Sequence, residues 1–124
     1  MAVMGAARWR CLVAAALVGA ALPPPAAATA LRPGPWTVVR VLDGDTIDAR
    51  LGTARVRVRL AGIDAPELHD PAECFGVRAR RALAAYAPSG ARVLLRTDPR
   101  LADHDRYGRA IAYVLRNGTN VNVR

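Results

Sequence analysis

Lysine is absent from this sequence; all 18 basic residues are arginine. Cysteine is nearly absent, with only Cys11 and Cys74 in 124 residues. No apolar run approaches the ~20 residues that a membrane-spanning helix needs. There are no internal repeats, and nothing of low complexity beyond the first thirty residues. These absences exclude several classes at once: a disulfide-framed scaffold, a solenoid and a polytopic membrane protein. A catalytic thiol requires a histidine placed beside it, and the sequence offers no local hint of such a pair. What remains is a strongly basic chain, with formal net charge +8 against ten acidic residues. Its cations are guanidinium groups, which favour phosphate-bearing partners.

The first thirty residues differ from the rest. Arg8 and Arg10 precede an apolar run from Cys11 to Leu22, followed by Pro23-Pro24-Pro25 and the small residues Ala28-Thr29-Ala30. This order of basic, apolar and small-x-small segments predicts a secretory signal peptide over 1–30. Arg8-Trp9-Arg10 is not a twin-arginine pair, and no cysteine stands at the cleavage site to be lipidated. The expectation is a secreted or periplasmic, soluble protein with no stable membrane insertion once the signal is removed. Residues 31–124 then form one small domain, and loss of Arg8 and Arg10 lowers its net charge from +8 to +6. Cys11 leaves with the signal, so Cys74 cannot form an internal disulfide and reads as a partly buried structural thiol beside Phe75.

The mature chain is organised around Arg59-Leu60-Ala61-Gly62-Ile63-Asp64-Ala65-Pro66-Glu67. Val56, Val58 and Leu60 alternate with Arg55, Arg57 and Arg59, the period of a half-buried strand. Arg59 therefore faces away from the core. The strand is expected to run to Asp64, where Pro66 ends the ladder. A cation, a candidate metal ligand and a candidate general base thus fall within nine residues, the combination that cleavage of a phosphodiester needs.

Around this stretch, Trp36–Leu42 reads as a first strand, and Asp43-Gly44-Asp45 as a turn. Thr46–Leu51 reads as a second strand, with Ile47, Ala49 and Leu51 on one face and Thr46, Asp48 and Arg50 on the other. In a meander, the start of the second strand lies opposite the end of the third, so Asp45 and Asp64 are expected to be close. Asp70-Pro71-Ala72-Glu73 has the form of a helix start. Phe75, Ala79, Ala82, Leu83 and Tyr86 recur at helical spacing, with Arg78, Arg80 and Arg81 on the opposite side. Ala91–Thr97 is a fourth strand with Val93 and Leu95 inward. Ala110–Leu115 is a fifth, apolar on both faces and therefore central, and Asn117-Gly118 is a hairpin turn. His69 and His104 read as isolated loop residues. Five strands with one helix after the third predict a mainly β domain with some α, a small barrel of the oligonucleotide-binding type.

Three motifs in order are similar to the staphylococcal nuclease (thermonuclease) family: Asp43-Gly44-Asp45-Thr46, Arg59 through Glu67, and Asp105-Arg106-Tyr107-Gly108-Arg109. Glu73-Cys74-Phe75-Gly76 also resembles bacterial members. The resemblance implies a calcium-dependent nuclease acting on DNA and RNA and leaving 3′-phosphates. It assigns Asp45, Asp64 and the backbone carbonyl of Ala65 to Ca²⁺, which takes hard oxygen ligands. It assigns Glu67 to the attacking water, and Arg59 and Arg109 to the phosphate and transition state. Tyr107 contacts the phosphate, and Asp43 supports the metal site from behind its ligands. The implied form is a monomer. Val121-Asn122-Val123-Arg124 matches the opening of a further helical segment in the family, so the chain reads as C-terminally short.

Taken singly, each motif has a plainer reading. Asp43-Gly44-Asp45 is an ordinary turn, Asp64 a strand terminator, and Arg59 one of three arginines on a solvated face. The competing function is a nucleic-acid-binding barrel without catalysis. The acidic set distinguishes the two, because Asp45, Asp64 and Glu67 would repel the phosphate of a ligand that is merely bound.

Overall fold

A computed structural model describes residues 31–68 and 74–123. The signal-peptide expectation and the helix start at Asp70–Glu73, with His69 beside it, lie outside the described residues. The elements are β1 (Pro35–Val41), β2 (Thr46–Leu51), β3 (Ala54–Leu60), α1 (Gly76–Tyr86), β4 (Arg92–Arg96), β5 (Ala110–Arg116) and β6 (Thr119–Asn120), then a 3₁₀ turn, Val121–Val123.

The sheet order is β3-β2-β1-β4-β5-β6, and a parallel pairing of β3 with β5 closes the first five strands into a barrel. The five-stranded barrel with one helix after the third strand is the architecture that the strand pattern predicts. Its interior holds Trp36, Val38, Ile47, Ala49, Val58, Leu60, Val93, Ala112 and Val114, all effectively inaccessible. Full burial of the valine, leucine and isoleucine side chains among these stabilises by ~1.5–3 kcal/mol each. β5 is central as expected, pairing with β4 and β6 antiparallel and with β3 parallel. Asn117 and Gly118 both have positive φ, 50° and 75°, and turn the chain from β5 into β6. This two-residue sixth strand was not expected.

One irregularity matters for the outer surface. In β1, Val38 pairs with Ala49 but Arg40 pairs with Asp48, so Val39 is an extra residue. A bulge of this kind re-aims the side chains beyond it. Here it brings Arg40 back to the outer face opposite Asp48, and Ser89 Oγ donates to the freed Val39 carbonyl at 2.7 Å.

Four expectations are corrected. β3 ends at Leu60 rather than Asp64: Ala61 N–H makes the last bond to β5, donating to the Ala112 carbonyl at 2.9 Å, and Gly62 then takes φ 72° and turns the chain away. Thr46, placed on the outward face of β2, is buried, with Arg59 opposite it on β3 and Arg109 Nη1 donating to its hydroxyl. The helix begins at Gly76, with Phe75 in the left-handed conformation at φ 70° before it. Its inner stripe is consequently Gly76, Ala79, Leu83 and Ala87, while Phe75, Ala82 and Tyr86 are exposed. Phe75 instead lies against the Arg78 guanidinium, 5.5 Å from its ring centre. Cys74 is exposed rather than partly buried, since it stands in the turn ahead of the helix.

Two glycines allow the layers to meet. A Cβ on Gly44 would lie 2.5 Å from Ala65 Cβ and 2.6 Å from Ala79 Cβ; one on Gly76 would lie 2.6 Å from the Glu67 carbonyl oxygen. The turn before β2, the loop after β3 and α1 therefore pack with no room for a side chain at either glycine. Gly44→Ala is expected to destabilise the domain by ~1–3 kcal/mol through overpacking. Urea denaturation of the variant beside its parent measures this, and unchanged stability contradicts the packing argument.

Candidate functional site

The barrel register converges three segments at one place. Thr46, first in β2, pairs with Arg59, next to last in β3. The parallel pairing sets Arg59 beside Ile111, two residues past Arg109. Asp45 precedes Thr46, and its backbone carbonyl accepts from Leu60 N–H at 2.7 Å.

Asp45 is the hub. Its side chain is 3% exposed. Oδ1 accepts the Thr46 hydroxyl at 2.9 Å, and Oδ2 accepts Ala65 N–H at 3.2 Å. The Arg59 Nη1 lies 2.7 Å from Oδ2. The Asp43 carboxylate, also buried, accepts Asp45 N–H at 3.2 Å and holds the turn. Burial raises the Asp45 carboxyl above its ordinary value, against the Thr46 and Ala65 hydrogen bonds and the Arg59 charge, with the neighbouring Asp43 pushing further up.

Arg59 continues outward. Nη1 donates to the Ile63 carbonyl at 2.6 Å, and Nη2 donates to Asp64 Oδ1 at 3.2 Å. One guanidinium thus touches Asp45, Ile63 and Asp64, which puts the two carboxylates close together as expected. Their environments differ sharply, because the Asp64 side chain is 97% exposed.

Arg109 is held from two sides. Its Nε donates to Asp105 Oδ2 at 2.6 Å, and its Nη1 to the Thr46 hydroxyl at 3.1 Å. Asp105 Oδ1 accepts the backbone N–H groups of Tyr107 and Arg109, each at 2.9 Å, so the carboxylate closes the turn that carries the arginine. Burial pushes the Asp105 carboxyl up, but the Arg109 backbone and side-chain donors and the Tyr107 N–H outweigh it and hold the group below its usual value. The exposed Tyr107 ring lies 4.7 Å from the Arg106 guanidinium carbon and 5.4 Å from that of Arg109. A cleft of about 530 Å³ passes between Arg59, Ile63, Tyr107 and Arg109.

Asp45, Arg59, Asp64, Ala65 and Arg109 are therefore brought together, with Asp43 behind them and Tyr107 at the rim. Glu67 is exposed on the same loop, its carbonyl pressed against Gly76. Sequence reasoning missed three participants. Thr46 joins the two arginines through Asp45, the Ile63 carbonyl seats Arg59, and Asp105 anchors Arg109. Asp105 had a local signal, an aspartate positioned to cap a turn containing glycine. Thr46 had none, since its burial comes from the distant Arg109.

The carboxylates of Asp45 and Asp64 and the Ile63 carbonyl are hard oxygens gathered around the Arg59 guanidinium, the donor type that a hard cation takes. Among the described residues, no group of three or more His, Cys, Asp or Glu side chains gathers to hold a metal ion. Any such site thus depends on backbone oxygens as well as the two carboxylates.

Comparison with known proteins adds to this geometry. A family model described as staphylococcal nuclease homologue matches residues 57–124. Protein ParB of Escherichia coli is 47% identical over 77 residues, covering 62% of this chain and 39% of its own length. Micrococcal nuclease of Shigella flexneri is 43% identical over 79 residues, covering 62% and 40%. An uncharacterized endonuclease of Escherichia coli O157:H7 is 40% identical over 86 residues, covering 68% and 51%. The chain spans about two fifths to one half of the length of these curated relatives.

Two outcomes follow from the hub. Thr46→Val keeps the side-chain shape but strips Asp45 Oδ1 and Arg109 Nη1 of their shared partner. Chemical denaturation is expected to show a loss of ~1–3 kcal/mol, the cost of leaving a buried polar group unsatisfied, with Thr46→Ser close to the parent. The depressed Asp105 carboxyl contributes stability that is complete above the ordinary carboxylate range and is lost as pH falls through its lowered value. Asp105→Asn should therefore be less stable than the parent at neutral pH, with the gap narrowing in acid. Thermal melts across pH check the sign.

Proposed function

The chain belongs to the staphylococcal nuclease family, and from that premise we propose that it is an exported, calcium-dependent, monomeric nuclease hydrolysing phosphodiester bonds in DNA and RNA. One observation carries the reading: Arg59 and Arg109 are tied through Asp45 and Thr46 at the end of the barrel where Asp64 and Glu67 stand. The nuclease names of two of the relatives support it.

Arg59 and Arg109 bind the scissile phosphate. A guanidinium presents a planar fork of donors to two phosphate oxygens and stays charged throughout the working pH range. Each arginine is anchored by part of its fork, and among the described residues Arg59 Nε and Arg109 Nη2 have no partner. Those donors are available as charge grows on the equatorial oxygens, the feature that lowers the barrier. Glu67 takes a proton from water as the water oxygen attacks phosphorus. The bond to the 5′-oxygen breaks opposite, that oxygen acquires a proton from solvent, and the products are a 3′-phosphate and a 5′-hydroxyl.

The donor set suits calcium. Asp45, Asp64 and the Ala65 carbonyl would hold it, and the contacts of Asp45 Oδ2, Asp64 Oδ1 and the Ile63 carbonyl with the Arg59 guanidinium support the suitability of this place for a cation. When bound, the ion supplies Lewis-acid neutralisation of a phosphate oxygen. Residues 1–30 direct export, and among the described residues no helix is long and apolar enough to cross a membrane.

The test is cleavage of single-stranded DNA by the purified protein, with calcium or with chelator. Cleavage is expected to need calcium and to fall ~10²–10⁴-fold in Glu67→Gln, while calcium-dependent nucleotide binding persists. Equal loss of binding and cleavage counts against a base role for Glu67. Arg109→Lys is also expected to be strongly impaired, because an ammonium cannot make the forked contact. Binding without cleavage in the folded parent favours the non-catalytic module.

A further inference from the structure

The three arginines alternating through β3 form a ladder, and only the lowest of them belongs to the site described above. On the outer face of the β2–β3 pair, Thr46 stands opposite Arg59, Asp48 opposite Arg57, and Arg50 opposite Arg55. Alternate residues of a strand repeat every ~6.6 Å. The guanidinium-bearing positions thus step away from the candidate site in even strides, as successive phosphates do along an extended polynucleotide strand.

Of this ladder, Asp48, Arg55 and Arg57 line an open cleft of about 620 Å³, whose charged residues are Arg40, Asp48, Arg55, Arg57 and Arg109. Four cations face one anion. The far end of this cleft is walled by Tyr107 and Arg109, the same residues that wall the cleft beside Arg59. The two depressions therefore adjoin, with the exposed tyrosine ring in the wall they share. Val39 and Val56, both half-buried, also line the larger one and offer apolar contact for sugars and bases.

The single anion organises the cations. Asp48 holds Arg40 Nε at 2.8 Å, and Arg57 Nε and Nη2 at 2.7 and 3.1 Å. The Arg40 and Arg57 side chains nevertheless remain 62% and 47% exposed, so each is pre-positioned with donors left over. The bulge in β1 is what puts Arg40 there, since without it the residue would face the core. Arg50 and Arg55, both exposed, sit directly opposite each other with no hydrogen-bond or ion-pair partner among the described residues. Like charges directly opposed across a strand pair are destabilising, and a polyanion lying over them removes the penalty.

We propose that the outer face of β1–β2–β3 is a phosphodiester track, in which Arg57, Arg55 and Arg40 bind the backbone of a single-stranded polynucleotide flanking the phosphate held at Arg59 and Arg109. The inference rests on the nuclease reading for which phosphate is cut, but the track itself is a binding site. Stacking on Tyr107 and ion pairs along the ladder are together the usual means of holding single strands without sequence preference.

The test uses Arg55→Gln/Arg57→Gln, with Arg40→Gln as a second variant in which Asp48 keeps Arg57. Thermal melts establish that each is folded. Binding to a single strand of ~10 nucleotides, within the site size of one such barrel, is followed by fluorescence anisotropy across salt concentrations in a Glu67→Gln background. Each lost phosphate contact should reduce the slope of log K against log salt by ~0.7. The double variant should therefore lose ~1.4 and the single variant ~0.7, with cleavage of a dinucleotide in the Glu67 background unchanged. An unaltered slope overturns the track. Equal loss on dinucleotide and long strand overturns it too, by showing that the ladder acts through the site or the fold. Lost binding to anionic phosphatidylglycerol vesicles with oligonucleotide binding intact overturns it in favour of a membrane surface. A parent that binds the long strand but cuts neither substrate refutes the hydrolase reading alone, and the slopes still decide the track.

Discussion

Everything at the working end of this barrel depends on a buried carboxylate, Asp45. An ionised group out of water is tolerated only when its oxygens are matched by donors and charge. Here the matching groups come from three parts of the chain: the Thr46 hydroxyl from β2, the Arg59 guanidinium from β3 and the Ala65 N–H from the loop beyond. Fold and site therefore share one network. The contacts that satisfy Asp45 also set where Arg59 points, and through Thr46 they reach Arg109 at the start of β5. Among the described residues, no buried side-chain nitrogen or oxygen is left without a partner.

The network needs close approach as well as charge. Gly44 lets the Asp43–Asp45 turn lie against Ala65 and α1, and Gly76 lets the helix start lie on the Glu67 carbonyl. A side chain at either position would push the loop bearing Asp64 and Glu67 off its seat. Asn122 adds a tie from the far side. Its side chain donates to the Ala61 carbonyl at 2.8 Å and accepts Val114 N–H at 2.9 Å, fastening the end of β3 to β5.

A basic repertoire made only of arginine suits this design. Each guanidinium carries five donors in a rigid fork, so some can be committed to the scaffold while others face a ligand. Arg59 and Arg109 divide their donors in that way at the candidate site, and Arg40 and Arg57 do so around Asp48. The same physical habit thus recurs along one face of the barrel, from the candidate site to the far rungs of β3.

The strands of the barrel were legible because each is a local pattern: alternation in β2 and β3, β-branched content in β1, an apolar β5, and asparagine-glycine at the last hairpin. The nearness of Asp45 and Asp64 was legible too, since a meander forces it. Less was legible at α1, where Phe75 fits the helical period but adopts a left-handed backbone and is exposed, along with Cys74, Ala82 and Tyr86. Which stripe of a short helix is buried depends on the surface it meets. By itself, then, the sequence determined the strands, the outward arginines and the acidic residues at their ends, through side-chain periodicity and turn chemistry. Only the tertiary structure decided that Thr46 is buried, that Arg109 reaches it and that Asp105 and Ile63 complete the seats. Those facts follow from the parallel closure of β3 on β5, a pairing of segments some fifty residues apart that no local pattern encodes.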